Sequence, residues 1–265
     1  MSSSSGATTT GTTGSGSGAG AGRRGAGAGG GGLGHRLSGI AVALGCVLFL
    51  GSCVWGALVY RPYSVPTTSM VPTVQSGDRL LAQKVSGSQV HRGDVVVFKD
   101  PLWGDAPLVK RVVGVGGDTV ACCDAQGRLT VNGTPVDETY LNGGAPSAQG
   151  GDQASAERFS TKVPAGKLFL LGDNRAISED SRVHLADAEG GAVPASDVKA
   201  RVDGIAWPSS RIGLLHRTSA FAAIPGGGSP GRGPLGLLVV AALAGVVLIL
   251  GGAAWDPLAK LLRRR

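Results

Sequence analysis

Charge is missing from two long stretches of this chain. Leu37 to Tyr60 and Leu235 to Trp255 contain no Asp, Glu, Lys or Arg, and each is long enough to cross a hydrocarbon core of about 30 Å. The first run is too long for the apolar core of a cleaved leader, usually about 7–15 residues, and reads as a transmembrane anchor over 37–60. The second, over 235–255, is unbroken and followed by Lys260 and Arg263 to Arg265, so it reads as a second span rather than a buried core helix. Aromatic residues are absent from 1–34, which is Gly, Ser, Thr and Ala with little else. Such a segment cannot bury enough surface to offset the entropy of ordering, so residues 1–36 read as a disordered tail. Its Gly20, Gly22 and Gly25 match a dinucleotide-binding glycine pattern, but no strand precedes them and a tract so rich in glycine produces the match by chance.

Histidine and cysteine are scarce too. Between the spans lie only His91, His184 and His216, in no triad-like arrangement, and there is no G-x-S-x-G elbow to present a serine to one of them. Cys46 and Cys53 fall inside the first span, while Cys122 and Cys123 are adjacent. Adjacent cysteines are too close for an ordinary loop-closing disulfide and match no metal spacing, so they read first as small buried apolar residues, with a vicinal redox pair as the alternative. No metal and no cofactor is expected.

The net charge of +7 would suggest nucleic acid were it spread over a folded surface, but +6 of it flanks the two apolar runs, on Arg23, Arg24, Arg36, Lys260 and Arg263 to Arg265 against Asp256. Cations beside apolar spans follow the positive-inside pattern, which predicts cytoplasmic termini, an extracytoplasmic segment 61–234, membrane lipid as a partner and no nucleic acid.

That segment alternates short β-branched runs with turn residues. Strands are predicted over Arg79 to Val85, Asp94 to Lys99, Leu108 to Val115, Thr119 to Cys123, Arg128 to Val131, Thr134 to Val136, Phe159 to Val163, Lys167 to Leu171 and Lys199 to Trp207. Asn132-Gly133 is the strongest hairpin signal. The pattern predicts a mostly β domain over 61–224, an antiparallel barrel or folded-over sheet with one transmembrane helix at each end. Gly143 to Ala156 reads as an exposed loop and Pro225 to Pro234, over 225–234, as a flexible linker ahead of the second span and a basic tail at 256–265.

With no histidine suited to the task, a nucleophilic serine needs another base. A lysine serves if apolar burial lowers its pKa enough to leave the amine neutral. Lys110 sits among Leu108, Val109, Val112 and Val113 on a strand, and alternation sends it and Arg111 to opposite faces, one inward and one outward. Arginine stays protonated, so Lys110 is the candidate base. The candidate nucleophile is Ser69, nine residues beyond Tyr60 in S-V-P-T-T-S-M-V-P-T (Ser64 to Thr73). Even fully extended, nine residues reach only about 30 Å, which ties the serine to the membrane surface.

Four blocks in this order carry a family resemblance: Ser69 to Thr73 (S-M-V-P-T), Gly93 to Pro101 (G-D-V-V-V-F-K-D-P), Lys110 to Asp118 (K-R-V-V-G-V-G-G-D) and Gly172 to Arg182 (G-D-N-R-A-I-S-E-D-S-R). Together with the upstream span they resemble the bacterial type I signal peptidases, and the second span resembles the arrangement in some actinobacterial members. The resemblance implies a membrane-bound serine endopeptidase, with Ser69 as nucleophile, Lys110 as general base, Ser178 orienting the lysine amine and Thr67 helping to bind the oxyanion. It implies a supporting ion pair between Asp180 and Arg182, a structural turn at Asp173 and Asn174, and shallow substrate pockets lined by Val65, Met70, Val74 and Val109. Its substrates would be secretory preproteins whose signal peptides end in small residues. Ala176, Ile177 and Val183-His184 depart from the family's usual residues. A silent membrane-tethered binding module would be expected to lack the serine or the lysine, and a self-cleaving Ser-Lys repressor would carry a DNA-binding domain in place of the spans.

Overall fold

The computed structural model describes residues 32–141, 154–229, 231 and 233–262. The two charge-free runs form helices α1 (Gly32–Val59) and α2 (Leu235–Leu262), both long and apolar enough to cross a membrane. They lie against each other through small residues. A methyl group on Gly45 or Gly245 would come within 2.7 Å of the other's carbonyl oxygen, and Ser38 Oγ donates to Gly252 O at 2.8 Å. Such close approach is how helices pack where apolar burial gives no driving force.

Between the helices the regular structure is mostly strand: β1 (Tyr60–Ser64), β2 (Arg79–Lys84), β3 (Val95–Phe98), β4 (Leu108–Val115), β5 (Thr119–Cys122), β6 (Leu129–Val131), β7 (Thr134–Pro135), β8 (Phe159–Lys162), β9 (Lys167–Leu171), β10 (Val193–Pro194), β11 (Val198–Trp207) and β12 (Gly213–Leu214). All pairings between these strands are antiparallel. The larger sheet has the order β1-β2-β11-β3-β4-β9-β10, with β12 on β11, and the smaller the order β7-β6-β5-β8. Among the described residues β1 and β10 are not joined to each other, so the larger sheet is folded over rather than closed. Its centre explains its strands: Val95-Val96-Val97-Phe98 is buried on both faces, the continuous apolar run of a strand covered on two sides.

Every predicted strand is present, with ends shifted by a residue or two. Asn132 and Gly133 adopt φ of 53° and 78°, the left-handed pair that a two-residue hairpin needs. β1 is an addition. Tyr60-Arg61-Pro62 reads as the exit from a span, yet the helix stops at Val59 and these residues pair with β2 along its length. The short β10 and β12 also went unpredicted, being two residues each.

Three expectations need correction. Of the loop expected at Gly143 to Ala156, residues 143–153 lie outside the described residues, and Ala154 and Ser155 are buried rather than exposed. The Pro225 to Pro234 stretch is tied down at its start: Arg92 Nη1 donates to Pro225 O at 3.1 Å and Gly227 O at 3.3 Å. Cys122 and Cys123 are joined to each other in a disulfide. Cys122 does sit in the core of the smaller sheet, as a small apolar residue would, but the pair is not two free thiols.

Candidate active site

Site geometry begins with β4. Alternation along this strand turns Lys110 and Arg111 to opposite faces, as expected, but both are buried, at 4% and 1% exposure. Arg111 forms a two-pronged ion pair with Asp173, Nε to Oδ1 at 2.7 Å and Nη2 to Oδ2 at 2.6 Å. It also donates to Gly93 O at 2.8 Å and stacks 4.0 Å from the ring centre of Tyr140. Thr73 Oγ1 donates to the same carboxylate at 2.5 Å. Burial alone would weaken the guanidinium's hold on its proton, but Asp173 outweighs it and the pKa is raised.

Lys110 meets the reverse situation. Its amine makes no hydrogen bond among the described residues. Burial pulls its pKa below the ordinary lysine value, while the charges of Asp180, Glu179 and Asp173 oppose that shift and Arg182 adds to it. A lysine held this way spends more of its time as a neutral amine, the form that can accept a proton.

Lys110 lines a cleft of about 330 Å³ together with Ser69, Thr67, Val65, Met70 and Val109. Trp103, Ile177, Glu179 and His184 form its outer wall, where the rings of Trp103 and His184 stack 4.6 Å apart. Thr67 Oγ1 and Ser69 Oγ lie 3.3 Å from each other at the cleft surface. Val65 and Met70 are buried, Val109 partly so. Val74 is fully buried in the neighbouring core with Leu80 and Val97 and does not line the cleft, so of the four predicted pocket residues it is the one the fold sets apart.

The Gly172 to Arg182 turn closes over this site from β9. Asn174 clips the serine segment, its N–H donating to Ser69 O at 3.0 Å and its Nδ2 to Thr68 O at 3.2 Å. Gly172 is where the two segments touch: a methyl group there would collide with Ser178 Oγ and with the Ser69 carbonyl, so only glycine fits. Ser178 Oγ is buried without a well-directed hydrogen-bond partner among the described residues, yet close enough to Asp180 to help lower its pKa. For Asp180, burial would raise the pKa, but Arg182, the Gly172 N–H and Ser178 hold it below the usual carboxylate range. Arg182 grips Asp180 through Nε and Nη2, each at 2.8 Å.

The turn brings Ser178, Asp180, Asp173 and Asn174 around Ser69 and Lys110. Sequence reasoning did not reach the second buried pair behind the turn, Arg175 with Glu138 at 2.5 and 2.8 Å, to which Tyr140 donates at 2.6 Å. No local pattern signals a pair whose members stand 37 residues apart.

A family model described as signal peptidase, peptidase S26, matches residues 37–207, about two thirds of the chain, including every cleft residue and the whole Gly172 to Arg182 turn. The chain belongs to the peptidase S26 family. As an S26 peptidase it is 34% identical over 228 residues to a signal peptidase I of Mycobacterium tuberculosis, covering 68% of this chain and 74% of that one. It is 42% identical over 131 residues to a signal peptidase I V of Bacillus subtilis, covering 47% and 76%. A crystal structure of a signal peptidase I from Enterococcus faecalis is 28% identical, covering 42% of this chain and 93% of that one, at a TM-score of 0.34. Membership makes this protein a peptidase, and the cleft between the Ser69 segment, β4 and the Gly172 to Arg182 turn is its candidate active site.

Proposed function

We propose that this S26 peptidase removes signal peptides from secretory preproteins at the outer face of a bacterial cell membrane, using Ser69 and Lys110 as a catalytic dyad. The observation that carries the reading is the contrast on β4: Arg111 is fully paired, while Lys110, next in sequence, is buried without a hydrogen bond in the cleft that holds Ser69. A structural lysine so little exposed would be expected to find a partner.

In the proposed reaction the neutral Lys110 amine takes the Ser69 Oγ proton as that oxygen attacks the scissile carbonyl. The oxyanion accepts hydrogen bonds from the Ser69 N–H and the Thr67 hydroxyl. The Lys110 ammonium gives its proton to the leaving amine, and the acyl group stays on Ser69 as an ester. A water activated by the same amine then hydrolyses it. Ser178 Oγ, left without a well-directed partner among the described residues, is free to steady the amine as it takes and gives the proton, and the Asp180–Arg182 pair holds the turn that carries Ser178. The partly apolar cleft at Val65, Met70 and Val109 suits small residues before the cut.

Both helices are proposed to span the membrane with the termini in the cytoplasm, supported by the cations flanking them. Purified full-length protein in detergent, given a signal-bearing preprotein, tests the assignment: wild type should release the mature protein and Ser69→Ala should not. An Ser69→Ala variant that still cleaves would remove the serine.

A further inference from the structure

The disulfide at the end of β5 takes no part in this chemistry. Cys122 is held in the core of the smaller sheet, whereas Cys123 is half-buried and lines a polar crevice of about 210 Å³ with Asp124, Gly127, Ser155 and Arg158. Cys123 Sγ lies 3.9 Å from Ser155 O. One sulfur is thus fixed and its partner lies beside an opening that a small thiolate can enter.

From this crevice a continuous set of hydrogen bonds leads to the candidate active site. The Gly127 carbonyl accepts the Ala154 N–H at 3.2 Å. The Ala154 carbonyl in turn accepts Arg175 Nη1 at 3.2 Å and Arg182 Nη1 at 3.4 Å. Arg182 grips Asp180, whose Oδ2 accepts the Gly172 N–H at 3.0 Å. The turn that follows the cysteines therefore braces the segment that braces both arginines of the Gly172 to Arg182 turn.

We propose that Cys122–Cys123 is a thiol–disulfide exchange site for a dithiol reductant, and that its oxidation state sets how firmly the Gly172 to Arg182 turn is held beside Lys110. A reductant thiolate attacks Cys123 Sγ, the S–S bond breaks, and Cys122 leaves as a thiolate that takes up a proton. The reductant's second thiol then displaces Cys123, so the pair gains two electrons and two protons while the reductant departs as a disulfide. Breaking the bond removes the tie that holds Cys123 to its neighbour. Because Cys122 is fixed in the core, it is Cys123 that is freed to shift against Ser155, next to the Ala154 carbonyl that holds Arg175 and Arg182. The effect on activity rests on the Ser69–Lys110 reading; the exchange itself does not.

The test uses the full chain in detergent and a cysteine-free preprotein. Alkylation after denaturation should count two thiols in the oxidised protein, Cys46 and Cys53, and four after dithiothreitol. Reduction should lower kcat roughly three- to thirty-fold with KM little changed, within the usual reach of coupled networks, and reoxidation by oxidised glutathione should restore it. Cys122→Ala/Cys123→Ala should ignore dithiothreitol; if it does not fold, Cys123→Ser, which keeps the core cysteine, takes its place. Four thiols before reduction, or two becoming four with kcat unchanged, would overturn the proposal. Activity that survives Ser69→Ala would instead remove the dyad, leaving the thiol count to decide the exchange site.

Discussion

The two faces of β4 give neighbouring cations opposite surroundings. On one face Arg111 has its charge matched by Asp173, two further donors used by Gly93 and Thr73, and an aromatic ring beneath it. On the other, Lys110 has apolar neighbours and no hydrogen bond, with three carboxylates acting on it only through space. One strand thus joins a saturated ion pair, which fixes geometry, to an unsaturated amine, which leaves chemistry available. Arginine suits the first place because its planar fork matches a carboxylate and it cannot deprotonate; lysine suits the second because burial shifts its proton equilibrium.

Exchanging the roles should break this comparison most completely. Lys110→Arg keeps a positive charge but removes the proton acceptor, and kcat should fall on the order of 10⁴-fold or more, as losses of a catalytic base do. Thermal melting must show the variant folded. Substantial turnover in folded Lys110→Arg would end the dyad reading.

On the paired face the effect should appear in stability. Arg111→Met strands the Asp173 carboxylate in a dry site, at a cost of about 3–5 kcal/mol. Adding Asp173→Asn should recover a large part, because the orphaned charge rather than the lost attraction dominates the cost. Urea melts of the three variants against wild type measure this, and additive losses would mean that the two residues do not act as a pair.

How much of this was readable in the sequence depends on range. The opposite facing of Lys110 and Arg111 follows from the period of a strand, and the strands themselves from alternation and turn residues. Whether a face ends in solvent or in core does not follow, because it depends on what the distant Gly172 to Arg182 turn and Tyr140 cover. The same limit hid Glu138–Arg175. β1 was hidden differently: Pro62 and its charged neighbour argue against a strand, and an edge position makes both acceptable, since an edge leaves some donors unpaired anyway. Adjacent cysteines have too little chain between them to signal a disulfide by spacing.

A smaller effect is expected at Thr67, whose hydroxyl sits 3.3 Å from Ser69 Oγ on the cleft surface. If it meets the oxyanion, Thr67→Val should lower kcat by roughly 10²–10³, about 2.7–4 kcal/mol, with KM little changed, while Thr67→Ser keeps most of the activity. Were the hydroxyl only supporting the turn, melting temperature would drop and turnover per folded molecule would hold. A Val variant with wild-type kcat takes Thr67 out of the mechanism.

The smallest effect tests how finely the unpaired face is balanced. Activity that needs neutral Lys110 rises with pH through the lysine's own pKa, and burial places that acidic limb below the ordinary lysine value. Glu179 works against burial. It is exposed at the cleft wall and its negative charge favours the ammonium form, so it raises the pKa that burial lowers. Glu179→Gln removes that charge and keeps the shape. The amine then loses its proton more easily, and the acidic limb of kcat should move to lower pH. Buried Asp180 acts on the amine more strongly than Glu179, but it also holds Gly172 and Arg182, so replacing it would disturb the turn as well as the field. Glu179 makes no hydrogen bond or ion pair among the described residues, so its substitution reads the field alone. Solvent at the cleft mouth screens the charge, and added salt should shrink the difference between wild type and Glu179→Gln. The kcat–pH profiles of the two proteins at low and high ionic strength measure both effects. A limb that stays put at low salt, or moves to higher pH, would mean that the group titrating in the profile is not Lys110.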